Sequence, residues 1–229
     1  MKNTKIQWHP AFDAALQIEL AEDADCLVFE PEHLLSKKPM QMDELIIKKN
    51  TKRKLRKQLG HIFRGHNVIE YKSPEDYLSI NDFYKAYGYA CFYQSDTEKI
   101  AAISPADITI TFVCDHYPRE MLKHIDQFKG ISVKKYANGI YYLIGDSFPM
   151  QLVITHELSP EEYFWLSYLR NNLKAGPEIS DLAEHYGPHK HSKLYQAVIL
   201  EIVSGCNECH DTGKSKRNGG GTLYVRSII

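Results

Sequence analysis

The sequence predicts an α/β fold, in which a mixed β-sheet is flanked by helices and followed by a helical extension. Three observations predict it. Strand-like apolar runs alternate with helical patterns as far as about residue 156. One of the runs, ITITFVC at 108–114, is nearly continuous, as is typical of a strand buried on both faces. From Ser159 to about residue 205 only helical patterns recur.

The first part of the chain predicts two helices and three strands. The segment FDAALQIELAED has near-helical apolar spacing and predicts the first helix. Short apolar runs predict strands CLVFE at 26–30, MQMDELII at 40–47 and NVIEYK at 67–72. Apolar spacing of 3, 4 and 7 predicts a helix over SINDFYKAYGYACFYQ, where Ser79 and Asp82 resemble a capping box.

Beyond the ITITFVC strand, PREMLKHIDQF predicts a helix with Pro in its first turn. Strands are predicted at GIYYLIG and MQLVIT, and helices at SPEEYFWLSYLRNNL, EISDLAEHY and SKLYQAVILEIV. The last stretch has no periodicity. We therefore expect a core at 1–156, a helical extension at 157–205 and a poorly ordered or atypical tail at 206–229.

The composition indicates a soluble chain that can bury a core. Of its 229 residues, 43% are hydrophobic and 25% are charged, and the formal net charge of −1 predicts no polyanion partner by itself. No apolar run approaches the roughly 18 residues of a membrane span. The N-terminus has no apolar signal core. We expect a cytoplasmic protein with no membrane association.

Two carboxylates and a lysine lie on consecutive predicted strands. Strand residues two apart share a face, so Glu70 and Lys72 should point together and Tyr71 should point the other way, into the core. If the two strands form a hairpin, Asp43 converges on them. Adjacent carboxylates favour a hard cation, Mg²⁺ or Mn²⁺, and the lysine can orient or activate water or stabilise charge on phosphate. Phosphodiester hydrolysis needs these groups together.

The segment between these strands is strongly basic. From residue 48 to 69 it contains eight Lys or Arg and no Asp or Glu. The basic residues are Lys48, Lys49, Lys52, Arg53, Lys54, Arg56, Lys57 and Arg64. Lys and Arg contacts to phosphate supply most non-specific affinity, so this segment predicts nucleic-acid binding beside the metal site. A solvated loop is the alternative interpretation.

Asp43 followed by Glu70-Tyr71-Lys72 resembles the D…(D/E)-x-K signature of the PD-(D/E)XK nuclease superfamily. The segments KIQWHPAFDAALQIEL, LLSKKPMQMDELIIKK and GHIFRGHNVIEYKSPEDYLSINDFYKAYGYA are similar to a bacterial branch near the recombination-promoting nuclease and putative transposase group. The resemblance covers roughly residues 5–200.

This resemblance implies a restriction-endonuclease-like fold for the core and a metal-dependent nuclease whose expected substrate is DNA. Asp43 and Glu70 would be metal ligands, Lys72 the catalytic lysine, and Glu19 in the first helix an additional acidic ligand. The chain departs from the pattern where Met42, not Pro, precedes Asp43, and again in its tail. Enzymes of this kind often act as dimers, so a homodimer is an expected partner.

Two other functions remain open from the sequence. One is a nucleic-acid-binding protein with this fold and little or no catalysis. The other is a zinc-stabilised module, in which Cys206 and Cys209 combine with histidines between residues 185 and 191. Unpaired thiols in a loose tail are the simpler interpretation. Lys85, on the helix after the motif, has two interpretations: it faces the site or the substrate, or it has a surface role, which is the preferred one.

Overall fold

A computed structural model describes residues 8–33, 41–50, 52–174 and 176–205. Its centre is a mixed sheet of seven strands. The strands are β1 (Leu27–Pro31), β2 (Glu44–Lys48), β3 (His66–Tyr71), β4 (Ile108–Cys114), β5 (Ser132–Ala137), β6 (Ile140–Ile144) and β7 (Met150–Ile154). Their spatial order is β1-β2-β3-β4-β7-β6-β5. Strands β3, β4 and β7 are parallel, and the strands on either side of these three pair antiparallel.

Helices cover both faces of the sheet. They are α1 (Trp8–Glu19), α2 (Ile80–Ser95), α3 (Arg119–Lys129), α4 (Phe164–Ser167), α5 (Pro177–Tyr186) and α6 (Lys193–Gly205). One apolar core lies between the sheet and α1, α4, α5 and α6, and a second lies between the sheet and α2 and α3. Side chains along β2, β3 and β4 alternate between the two cores, as the pleat of a strand requires. In the described ranges, no helix has the length and apolarity needed to span a membrane.

The predicted α/β class and the mixed sheet between helices are confirmed. The helical extension shares its core with α1 and the sheet, since apolar residues of α1, α4, α5 and α6 pack in one cluster. The capping box that begins α2 is also present, because Ser79 accepts a hydrogen bond from the Asp82 N–H while the Asp82 carboxylate accepts one from the Ser79 N–H. The predicted tail at 206–229 lies outside the described residues.

Two elements differ from the sequence prediction. Strand β5 was not predicted, because it is an edge strand whose side chains are mostly exposed and polar, so it has no apolar alternation. The long helix expected over 159–173 is reduced to the four residues of α4. One reason is a tertiary contact. The Trp165 N–H donates to the Glu19 carboxylate at 3.0 Å, so it is not used for a hydrogen bond within a longer helix.

A buried asparagine fixes the start of β3 between its two neighbours. The Asn67 side-chain amide donates to the carbonyls of Ile46 and Arg64, each at 2.9 Å. Its oxygen accepts from the Arg64 N–H and the Thr109 hydroxyl, each at 2.8 Å. All hydrogen-bonding positions of the amide are therefore used, and the side chain ties the turn before β3 to β2 and β4.

We expect Asn67→Ala to lower the free energy of unfolding by about 3 kcal/mol or more, because each buried group left unpaired costs roughly 1–3 kcal/mol. Thr109→Val removes one of the four bonds and should cost about 1 kcal/mol. Urea unfolding of both variants measures the difference. Equal small losses would show that Asn67 does not fix the register.

Candidate active site

The β2–β3 pairing brings the predicted catalytic residues together. Glu44 of β2 pairs with Ile69 of β3, which places Asp43, just before β2, beside Glu70. The Tyr71 N–H donates to Asp43 Oδ2 at 2.8 Å. Lys72 Nζ lies 3.3 Å from Glu70 Oε1. Asp43, Glu70 and Lys72 thus form one cluster at the end of the hairpin.

The tyrosine between Glu70 and Lys72 points the other way, as the sequence predicts. Tyr71 is buried in the core under α1, and its ring stacks on Phe12 with centroids 4.3 Å apart. Glu70 extends from the opposite face, next to α2. The strand alternation that the site requires is therefore present.

Asp43 is held by its backbone as well as by its side chain. Its carbonyl accepts the N–H of Glu32 at 3.1 Å, and Glu32 adopts a left-handed φ of 48° to make that turn. The second carboxylate oxygen, Oδ1, lies 3.8 Å from His9 Nδ1. Asp43 borders a cavity of about 320 Å³, whose lining residues are His9, Pro10, Asp13, Pro31, Glu32 and Asp43. The carboxylate is thus held at the border of this cavity by the bond from the Tyr71 N–H to Oδ2.

Two residues of α2 complete the cluster. Lys85 Nζ lies 2.6 Å from Glu70 Oε1, which supports the interpretation that Lys85 faces the site over the preferred surface role. Asp82 Oδ1 lies 2.7 Å from Lys72 Nζ. Asp82 and Lys85 are three residues apart, so they share a helix face. The sequence offered one indication that Asp82 and Lys85 belong to the site, namely their position in the helix directly after the Glu70-Tyr71-Lys72 motif.

Burial and charge set the protonation of this cluster. Glu70 is only 1% exposed. Burial, and then the charge of Asp43, raise its pKa to about 7, although Lys85 and Lys72 oppose the shift. Burial lowers the pKa of Lys72, but its hydrogen bond to Asp82 and the charge of Glu70 leave the pKa above its ordinary value. Lys72 is therefore a cationic hydrogen-bond donor at neutral pH. The Glu70 carboxyl gains or loses its proton close to neutral pH.

The donor chemistry fits Mg²⁺ or Mn²⁺ bound mainly through Asp43 and Glu70. Within the described ranges, no group of three or more His, Cys, Asp or Glu is arranged to hold a metal. Mg²⁺ commonly takes only one or two protein carboxylates and completes its shell with water and phosphate. Asp43 and Glu70 meet that requirement in number and type of ligand, since both are carboxylates and the charge of Asp43 acts on Glu70.

Glu19 is not brought to this pair, which corrects its assignment as a third ligand. Its carboxylate accepts the Trp165 N–H and lies 3.0 Å from Lys57 Nζ. It stands ten residues after His9 on α1, or about 15 Å along the helix axis. Because His9 is the α1 residue beside Asp43, Glu19 lies at the other end of the helix.

The basic segment also lies away from the cluster. It begins at Lys48, the last residue of β2, whereas Asp43 precedes the first. Five strand residues span about 16 Å. The expected position beside the metal site is therefore wrong, because the β2–β3 hairpin separates its two ends.

Arg53, Arg56 and Lys57 have acidic partners at the end of α1 and in the segment after it. Arg53 lies 2.7 Å from Asp23 and 2.6 Å from Asp25. The other two pairs are Arg56–Glu22 at 2.8 Å and Lys57–Glu19 at 3.0 Å. Lys48 is buried, whereas Lys49, Lys52, Lys54 and Arg64 are exposed. Only part of the segment thus presents its charge to solvent.

A second buried carboxyl lies on the other face of β2. Glu44 is fully buried. Burial, and then the neighbouring Asp13 carboxylate, raise its pKa to about 9. At neutral pH, Glu44 is therefore protonated, and its acidic neighbour Asp13 lines the cavity beside Asp43. The sequence did not indicate this pair, because Asp13 and Glu44 are far apart in it.

The zinc hypothesis depends partly on residues outside the described ranges. Cys206 and Cys209 both lie there. Of the histidines, His185 stacks on Phe164 at 3.8 Å and His189 stacks on Tyr195 at 4.0 Å. These aromatic contacts give both histidines a role in packing α4, α5 and α6.

We expect Glu44→Gln to change how stability depends on pH. The folded-state pKa of Glu44 is above its unfolded value, so its protonated form stabilises the fold at low pH. That contribution is lost as the pH rises from about 5 toward 9, at up to about 1.4 kcal/mol per pH unit. The amide does not titrate, so the free energy of unfolding of the variant minus that of wild type should rise over this range.

Urea unfolding at several pH values between 5.5 and 8.5 measures this difference, with Glu120→Gln, an exposed change on α3, as the control. A difference that stays constant with pH would contradict a protonated Glu44.

Comparison with protein-family models, with curated proteins and with solved structures found no match to this chain.

Proposed function

We propose that this chain is a metal-dependent nuclease that hydrolyses phosphodiester bonds in DNA, of the PD-(D/E)XK type and near the recombination-promoting nuclease branch. The observation that carries the proposal is the convergence of Asp43, Glu70 and Lys72 at one end of the β2–β3 hairpin, with Tyr71 on the opposite face. A restriction-endonuclease-like arrangement of the mixed sheet, with α2 directly after β3, belongs to the same proposal.

Asp43 and Glu70 would hold the Mg²⁺ or Mn²⁺ ion. Such an ion lowers the pKa of water and neutralises charge on phosphate. The bond from the Tyr71 N–H orients Asp43 through Oδ2 and does not use Oδ1. Glu70 would bind as a carboxylate, since the positive charge of the ion favours loss of its proton.

Lys72 would act as a positioned hydrogen-bond donor. An ammonium has three donors, and Asp82 and Glu70 account for two of them. The third can bind the attacking water or a phosphate oxygen. Because Lys72 is protonated at neutral pH, it would align water and stabilise negative charge in the transition state rather than accept a proton.

We expect Asp43→Asn and Lys72→Met each to reduce cleavage of plasmid DNA on the order of 10²-fold or more, which is typical for loss of a preorganised charged group. Cleavage should require Mg²⁺ or Mn²⁺ and stop with a chelator. Circular dichroism should show both variants folded.

Asp126→Asn and Lys134→Met make the same chemical changes at exposed positions on α3 and β5, and they should cleave like wild type. Equal cleavage by all four variants would overturn the assignment. DNA binding by wild type without turnover in either metal would instead favour the non-catalytic alternative.

We also expect the exposed lysines of the basic segment to contact the substrate backbone. Replacing Lys49, Lys52 and Lys54 together with Gln should weaken DNA binding and reduce the slope of log affinity against log salt by up to about 3, at roughly 0.9 per lost phosphate contact. The measurement is fluorescence anisotropy over a salt series. An unchanged slope would identify the segment as a solvated loop.

The distance between the Asp43–Glu70–Lys72 cluster and the basic segment sets how many nucleotides a DNA strand needs to reach both. About 16 Å of strand corresponds to about five nucleotides at roughly 3.4 Å each. DNA that extends fewer than about five nucleotides from the cleaved bond should bind the triple variant and wild type equally.

A further inference from the structure

Lys85 and Lys72 hold the same oxygen of a buried carboxylate. Glu70 Oε1 lies 2.6 Å from Lys85 Nζ and 3.3 Å from Lys72 Nζ. The carboxylate is 1% exposed, so its charge is removed from water and must be compensated locally. Asp43 beside it adds a second negative charge. The two ammonium groups therefore supply the positive charge that this carboxylate pair needs.

The two lysines are not equivalent. Lys72 is 19% exposed and is also paired with Asp82 at 2.7 Å, so it stays anchored when its contact to Glu70 is lost. Lys85 is 38% exposed, and Glu70 is its acidic partner within 4 Å in the described part of the chain. Its ammonium also lies 5.7 Å from the centre of the Tyr89 ring, one helical turn further on. Lys85 thus has an alternative contact close by.

We propose that Lys85 is an internal counter-ion that competes with a divalent cation for the Glu70 carboxylate and so sets the metal affinity of the site. The inference rests on the proposed function, because it concerns the same metal ligands. A divalent ion between Asp43 and Glu70 replaces the single charge of Lys85 with a double charge. Lys85 then moves toward Tyr89 or solvent, while Lys72 remains on Asp82.

Direct Mn²⁺ binding in the absence of nucleic acid tests the proposal by calorimetry or electron paramagnetic resonance. Lys85→Met should bind Mn²⁺ about tenfold or more tightly than wild type, because it removes the competing charge. Damage to the fold would weaken binding, so tighter binding cannot come from a merely structural role of Lys85.

Lys85→Arg keeps the charge and should bind much less tightly than Lys85→Met. Lys134→Met removes an equal charge from β5, four strands away from β3, and should leave the affinity unchanged. Asp43→Asn should weaken binding in both the wild-type and the Lys85→Met background.

The outcomes separate this inference from the proposed function. If wild type binds Mn²⁺ through Asp43 and Lys85→Met binds it equally or more weakly, the counter-ion role is overturned while the nuclease proposal stands. If neither protein binds Mn²⁺, the metal site fails, and the counter-ion role fails with it. An equal gain in Lys134→Met would show a non-specific effect of net charge and would also overturn it.

Discussion

The antiparallel register of β2 and β3 determines what each face of the hairpin presents. Glu44 lies opposite Ile69, and the Tyr71 N–H continues the pairing by bonding to the Asp43 side chain. Because side chains alternate along a strand, a slip of one residue would bury Lys72 under α1 and turn Tyr71 toward α2. The hydrogen bonds of Asn67 oppose such a slip at the other end of β3.

This register buries two carboxyl groups, and the structure compensates them differently. Glu70 is compensated by the ammonium groups of Lys72 and Lys85. Glu44 has an acid, Asp13, as its neighbour and keeps its proton instead. The difference follows from the helix on each face, since α2 presents lysine to the sheet and α1 presents aspartate. The paired lysines and carboxylate therefore lie on the α2 face, and the protonated carboxyl lies on the α1 face.

Local patterns predicted most of the elements, because burial repeats along each of them. The convergence of Asp43 and Glu70 was also predictable, since it needs only a hairpin and the alternation of a strand. Strand β5 was missed because its residues are exposed, and the helix at 159–173 was overestimated because Glu19 binds the Trp165 N–H.

The errors about charge have a common cause. The acids that pair with Arg53, Arg56 and Lys57 are at least 28 residues away in sequence, so the basic run seems unopposed when it is taken alone. Glu19 seemed available to a metal for the same reason. Lys85 was assigned to the surface because its partner, Glu70, lies on a different element. The role of a charged residue can be assigned only when the folded structure shows which opposite charge lies beside it.

Helix α1 contacts both the end of the hairpin that carries Asp43 and the basic segment. His9 at its first turn lies beside Asp43, Phe12 stacks on Tyr71, and Glu19 at its last turn binds Lys57 of the basic segment. The helix therefore runs from one end of the β2–β3 hairpin toward the other. Its twelve residues measure about 18 Å, close to the length of β2. If the basic segment guides a nucleic acid toward the cluster, α1 is the rigid element that fixes how far the strand must reach, because it is anchored to both.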